Sequence, residues 1–260
     1  MLLTFDVGNS ETTIGLFEAE TLRAHWRMMT DVPRTADELG VLLRGFLAGS
    51  DVALEAVQGV AIGSVVPRVT QPLAEACRAW LPAQRIEVID ANSPLPITLA
   101  VDEPRTVGAD RIINTLAASR RYGRDAIVVD LGTATTFDCI TKDAVFLGGV
   151  IAPGVRTSAE TLFRRTSKLP ATELVAPERT IGRNTEDCIR AGVMFGAAES
   201  INGIVRRIIA EWPGTERPMV IGTGGLADLF APLCASFDVV DPYLTLHGLA
   251  LAFELGRPPV

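Results

Sequence analysis

The sequence reads as an α/β protein made of two related domains facing one another. Two observations predict this. Apolar runs of strand length alternate with stretches of helical periodicity along the whole chain. The loop sequence Asp6-Val7-Gly8-Asn9 also recurs as Asp130-Leu131-Gly132-Thr133, each time after an apolar run, 124 residues apart in a chain of 260. Repetition at about half the chain length points to duplicated domains, which we place at residues 1–117 and 118–260.

The elements follow in order. LLTFD is short and apolar, as a buried strand is. TTIGLFE and AHWRMMT are two further strands, each set off by a polar turn. RTADELGVLLRGFLAG carries apolar residues at helical spacing, and Thr35 and Glu38 stand in the relation of a capping box. GVAIGSVVP is a buried strand ending at Pro67, TQPLAEACRAWL a helix, RIEVID a strand, and GADRIINTLAASRRYG a helix stopped by Gly123. The second half opens in the same way, with AIVVDLGTATTFDCI and VFLGGVIAPG giving three strands. Helices are expected at TSAETLFRRT, at NTEDCIRAGVMFGAAESINGIVRRIIAEW and at LTLHGLALAFEL, with the strand PMVIGTGG before the last. The segment SKLPATELVAPERTIGRNT, rich in Pro and Thr, reads as a long functional loop.

Composition narrows the function. A net charge of −7 leaves no basic footprint for nucleic acid or an anionic membrane surface. The four cysteines are scattered and there are only two histidines, so no pair has zinc-ligand spacing. Free thiols in a reducing compartment are the expectation. The N-terminus lacks the basic region of a signal peptide, and no apolar run is long enough to span a bilayer. A cytoplasmic globular protein is expected.

Two strand–turn–strand loops, each with an Asp just ahead of a Gly, have a chemical reading. The Gly lets backbone N–H groups approach a bulky anion. The hydroxyls of Ser10, Thr12, Thr133, Thr135 and Thr136 can donate to phosphate oxygens. A carboxylate repels phosphate but can hold a cation that binds it, and Mg²⁺ suits sparse carboxylate ligation completed by water and phosphate. Two such loops facing across a cleft would clamp a triphosphate. No P-loop is present. VIGTGGLADLF imitates a dinucleotide fingerprint through Gly222, Gly224 and Ala227, with Asp241 further on, but lies too near the C-terminus to found a dinucleotide domain. A Gly-rich turn there also suits an adenosine contact. His25 and His247 read as structural, and Trp26, Trp80 and Trp212 as core or interface.

These motifs together resemble type III pantothenate kinases, members of the acetate and sugar kinase, heat-shock chaperone and actin superfamily. DVGNS resembles the family's first phosphate motif, DLGTAT its second, and Thr223 to Gly225 its adenosine motif. VGADR at 107–111, LGG and APG within 147–154, KLP at 168–170, IGRNT at 181–185 and DPYLTLHGL at 241–249 also resemble family signatures. The resemblance covers nearly the whole chain. It implies two duplicated ribonuclease-H-like (actin-like) domains around a nucleotide cleft, and transfer of a phosphoryl group from ATP to pantothenate. Carried over by position, Asp6, Val7, Gly8, Asn9, Ser10, Glu11, Thr12 and Thr13 bind the ATP phosphates, with Thr133 in contact with ATP. Asp6 is the Mg²⁺ candidate. Gly108, Ala109, Asp110 and Arg111 bind pantothenate, Asp110 as general base, and Thr185 touches it too. Asp130 holds a monovalent cation, K⁺ or NH₄⁺. A homodimer is implied. The residues alone leave an N-cap role open for both Asp110 and Thr185. Another kinase or phosphatase of the superfamily, or an accessory factor in transcription, stays open as an alternative. Three departures stand out: Val101 where the family often has Tyr, Ser10 where it usually has Thr, and Glu11, which adds negative charge beside the phosphate loop.

Overall fold

The computed structural model describes residues 1–256. In chain order its elements are β1 (Leu2–Val7), β2 (Glu11–Glu18), β3 (Thr21–Met29), α1 (Ala36–Ala48), β4 (Gly59–Ser64), α2 (Pro67–Trp80), β5 (Arg85–Ile89), β6 (Thr98–Leu99), α3 (Ala109–Tyr122), β7 (Ala126–Leu131), β8 (Ala134–Ile140), β9 (Val145–Pro153), α4 (Val155–Arg165), α5 (Thr185–Ala210), β10 (Met219–Thr223), α6 (Ala227–Phe230), β11 (Val239–Val240) and α7 (Leu244–Leu255). The contacts divide them into two units. The first comprises residues 1–122, 143–146 and 243–256; the second comprises Gly123–Lys142 and Leu147–Pro242. Among the described residues no helix is long and apolar enough to cross a membrane.

In the first unit the strand order is β3-β2-β1-β4-β5. β1 runs antiparallel to β2 and parallel to β4. As the central strand it is buried on both faces, which is why LLTFDV reads as a continuous apolar run rather than an alternating one. Leu3, Phe5 and Val7 on one face join Leu39, Leu43 and Leu47 of α1 and Leu73 and Cys77 of α2. Leu2, Phe17 and Ala61 on the other join Ile113 and Leu116 of α3 and Leu246, Leu249 and Phe253 of α7. The capping box at α1 is present: Thr35 accepts from the Glu38 N–H, and Glu38 accepts from the Thr35 N–H at 2.7 Å. β4 stops at Ser64, and Pro67 opens α2 instead of closing the strand. Its fixed φ and missing N–H cost nothing at a first helical position. α3 ends before Gly123, whose φ of +60° is the left-handed conformation that terminates helices.

In the second unit the order is β11-β10-β7-β8-β9. Taken by position in their own segment, these strands repeat the order of the first unit. β7 again runs antiparallel to its successor β8 and parallel to β10. Each unit is thus a ribonuclease-H-like sheet, and the fold is the duplicated one. β6 adds two residues, pairing with Val145 and Phe146, which belong to the first unit. The second core gathers Val129, Leu131 and Phe137 with Met194, Ile201 and Val205 of α5 and Phe230 of α6. Among the described residues the four cysteines form no disulfide, and burial pushes the Cys77 and Cys234 thiols up to about 12, which leaves them unreactive.

Candidate active site

Asp6 and Asp130 hold equivalent places, each the last residue but one of its unit's central strand. Asp6 is in register with Thr13 on one side and Gly63 on the other. Asp130 is in register with Thr136 and Thr223. Both are partly buried.

In the first unit the turn after β1 is Gly8-Asn9-Ser10. The Gly8 N–H donates to the Glu11 carbonyl at 3.1 Å, and a side chain on Gly8 would press against the same oxygen. Asn9 and Ser10 are exposed at the tip, while Val7 and Thr12 are buried. Thr12 turns inward, and its hydroxyl lies 2.7 Å from that of Thr30. The Ser10 carbonyl accepts from the Thr30 N–H at 2.9 Å, so Thr30 braces the loop twice. Glu11 faces Arg27 at 3.5 Å, an exposed pair that offsets the charge beside the turn.

Asp110 stands in the first turn of α3. It is not the N-cap: the helix begins at Ala109, and the Gly108 carbonyl accepts from the Ile112 N–H. The Asp110 carboxylate bends back over Gly108, where any Cβ would collide with Oδ1 and would touch Val65 Cγ1 at 3.3 Å. Val65 follows β4, and its N–H donates to the Val7 carbonyl. One turn further along α3, Ile113 occupies the space that a side chain on Gly63 would need. Gly63 is the register partner of Asp6. Asp6 and Asp110 therefore both lie at the C-terminal edge of the parallel strands β1 and β4, the edge where ligands of such sheets bind. Burial raises the Asp110 pKa, opposed by the Arg111 N–H, which donates to Oδ1 at 2.9 Å, and by the Arg111 charge. The Arg111 guanidinium lies over the Phe146 ring at 4.9 Å.

In the second unit the turn after β7 is one residue shorter, Gly132-Thr133, with the Gly132 N–H donating to the Ala134 carbonyl at 3.0 Å. Thr133 is exposed; Thr135, like Thr12, is buried. The Thr133 carbonyl accepts from Thr157 of α4 at 2.8 Å, and Gly154 passes so close beneath the turn that only glycine fits. Gly224, at φ +88°, passes just as closely by the Asp130 carboxylate. Thr185 is the first residue of α5 and exposed; the cap is Asn184, which accepts from the Asp187 N–H at 2.9 Å, so Thr185 is not the N-cap either. A cavity of about 370 Å³ adjoins the Thr223–Gly225 turn, lined by Arg156, Thr172, Glu173, Leu174, Leu226 and Leu229 among others. The sequence marked the Gly-rich turn and the Pro/Thr-rich segment that holds Thr172–Leu174, but nothing in it joined Arg156 of α4 to them.

The donor sets suit different ions. Asp6, a single carboxylate beside an exposed turn, suits an ion that keeps water and phosphate as its other ligands. Among the described residues no group of three or more His, Cys, Asp or Glu could hold a metal by itself. Beside Asp130, the Thr223 hydroxyl is buried without a hydrogen-bond partner among the described residues, an oxygen donor left over next to a carboxylate.

Comparison with known proteins then adds the family. A family model for type III pantothenate kinase matches residues 2–207. Relatives of that name include those of Acidothermus cellulolyticus (43% identical, covering 99% of this chain and 100% of its own) and Moorella thermoacetica (44%, covering 98% and 99%). Among solved structures, a Campylobacter jejuni protein whose name assigns it provisionally to the Baf family of transcriptional activators superposes with a TM-score of 0.61 at 18% identity, covering 97% of this chain and 98% of its own. Component A of the (R)-2-hydroxyglutaryl-CoA dehydratase of Acidaminococcus fermentans superposes with a TM-score of 0.55 at 14% identity, covering 96% and 95%. These two likenesses concern the fold.

Proposed function

The chain belongs to the type III pantothenate kinase family, and from that membership we propose that it phosphorylates pantothenate with ATP to give 4′-phosphopantothenate, the first step towards coenzyme A. The observation that carries the mechanism is Asp110: a carboxylate off the cap position, folded over a glycine, at the strand edge that also bears Asp6. A helix cap needs none of this.

Phosphoryl transfer depends on positioning and charge neutralisation more than on covalent chemistry. The acceptor hydroxyl of pantothenate is a weak nucleophile. Asp110 orients it and takes its proton as the oxygen bonds to the γ-phosphorus, in line with the departing ADP. An upward-shifted carboxylate is the stronger base once ionised. Gly108 and Ala109 give the acceptor a close backbone approach, Thr185 contacts it, and Arg111, steadied on Phe146, offers a fork to its carboxylate. Residues Asp6 to Thr13 bind the ATP phosphates, chiefly through the exposed turn, with Thr12 as an internal brace. Thr133 contacts the same nucleotide, and the Leu-lined cavity beside Gly225 takes the purine. Asp6 would hold Mg²⁺, and Asp130 a monovalent cation, K⁺ or NH₄⁺; when bound, these ions neutralise phosphate charge. We also propose a homodimer.

ADP release, followed by a coupled assay with and without pantothenate, tests the reading. Release that depends on pantothenate, with one phosphate gained by the acceptor in mass spectrometry, is expected. Release indifferent to pantothenate would overturn it.

A further inference from the structure

Thr223 closes β10 and is 1% exposed, and its Oγ1 has no hydrogen-bond partner among the described residues. Buried hydroxyls are nearly always matched, because an unmatched one loses its water contacts for nothing. Register partners on adjacent strands project to the same face of the sheet, and Thr223 is the register partner of Asp130. The next residue, Gly224, turns at φ +88° and runs against the Asp130 carboxylate so closely that no side chain fits. A carboxylate, an unused hydroxyl and bare main chain thus converge at one end of two parallel strands of the second unit.

Resting on the reading that Asp130 holds a monovalent cation, we infer that Thr223 Oγ1 is a second protein ligand to that ion. One carboxylate balances one positive charge. The remaining donors should then be neutral oxygens, and a threonine hydroxyl is one: it offers a lone pair to the cation and keeps its O–H to donate. Burial excludes bulk water from competing for the place. β10 supplies this donor through its pairing with β7, so the ion's surroundings come from the sheet and not from a flexible loop.

The test compares Thr223→Val, close in shape but without the hydroxyl, with Thr223→Ser, which restores it. Binding of Tl⁺, a K⁺ substitute, is titrated by ²⁰⁵Tl NMR, and Tm is followed in KCl and in tetramethylammonium chloride at equal ionic strength. Wild type should bind Tl⁺ and gain Tm in KCl. Thr223→Val should bind Tl⁺ at least about tenfold more weakly and lose the KCl increment. In tetramethylammonium it should be no less stable than wild type, because it removes an unmatched polar group. Thr223→Ser should recover most of the binding. Tl⁺ affinity unchanged in Thr223→Val overturns the inference, and if ATP binding weakens instead, the hydroxyl serves the nucleotide. Wild type and Asp130→Asn that bind Tl⁺ equally would remove the Asp130 site itself, a result distinct from loss of the Thr223 ligand alone. Should Thr223→Val not fold, Thr223→Ala reads the same quantities.

Discussion

The carboxylate of Asp110 occupies the space that a side chain on Gly108 would fill. The two residues form one device: glycine is required so that the carboxylate can lie back toward the β4 edge. Gly108→Ala must drive Asp110 out of place or shift the start of α3. We expect kcat for pantothenate phosphorylation to fall at least about tenfold, ATP binding to stay near wild type, and circular dichroism to show an intact fold. Wild-type turnover in Gly108→Ala would show that the position of the carboxylate is immaterial.

Asp110→Asn keeps size but cannot take a proton. Removal of a general base costs about 10²- to 10⁴-fold, so kcat should drop at least about a hundredfold. Stability should move the other way. The Asp110 pKa is raised by burial, so the folded protein holds this proton more tightly than the unfolded chain does. What the carboxyl contributes to stability is present below its unfolded pKa and lost as pH rises through the folded one. At neutral pH the neutral amide should therefore leave Tm equal to or above that of wild type. The acid limb of kcat/KM should fall off at a pH above the ordinary Asp value, and Asp110→Asn should abolish that limb. A lower Tm with unchanged turnover would return Asp110 to a structural role.

Thr12 and Thr30 share a buried hydroxyl contact under the Gly8–Ser10 turn. Thr12→Val or Thr30→Val alone leaves one hydroxyl unmatched and should cost about 1–3 kcal/mol by urea denaturation. The double variant removes both partners and should cost less than the sum, which a double-mutant cycle measures. Either single change should also raise the KM for ATP, since the hydroxyl pair seats Thr30 against the strand that follows the Gly8–Ser10 turn. Additive stabilities would mean that the pair is not coupled.

The second unit leaves large apolar side chains in the open, Ile151 at 65% and Ile181 at 85% exposure. We expect light scattering at assay concentration to return twice the chain mass, and Ile181→Glu to shift the protein towards monomer with a weaker KM for pantothenate. A monomeric wild type with full turnover would overturn the dimer.

The sequence disclosed whatever is local. The Thr35/Glu38 capping box, the stop at Gly123 and the paired Asp-x-Gly turns are each written in a few adjacent residues, and each stands where it was expected. Contacts between distant segments were not legible. Nothing near Thr12 reveals that its hydroxyl meets Thr30, and nothing near Gly63 that Ile113 lies over it. The N-cap roles left open for Asp110 and Thr185 failed by two residues and by one, because Gly108 and Asn184 take those places. β6 and β11 have two residues apiece, too short for any periodicity to register. The cavity beside Gly225 is formed in part by Thr172, Glu173 and Leu174, whose segment has no period at all.

α7 completes the apolar layer over β1 and α3, yet it follows the whole second unit along the chain. On a ribosome the first unit emerges up to Tyr122 and then waits for about 120 further residues before its missing helix arrives. At about 5–20 residues per second that interval is roughly 6–24 s. Throughout it Phe17, Ile113 and Leu116 lack the cover of Leu246, Leu249 and Phe253. That apolar face is therefore the last part of the first unit to be covered, and a chain cut short before Tyr243 keeps its Gly8–Ser10 turn but never closes its core.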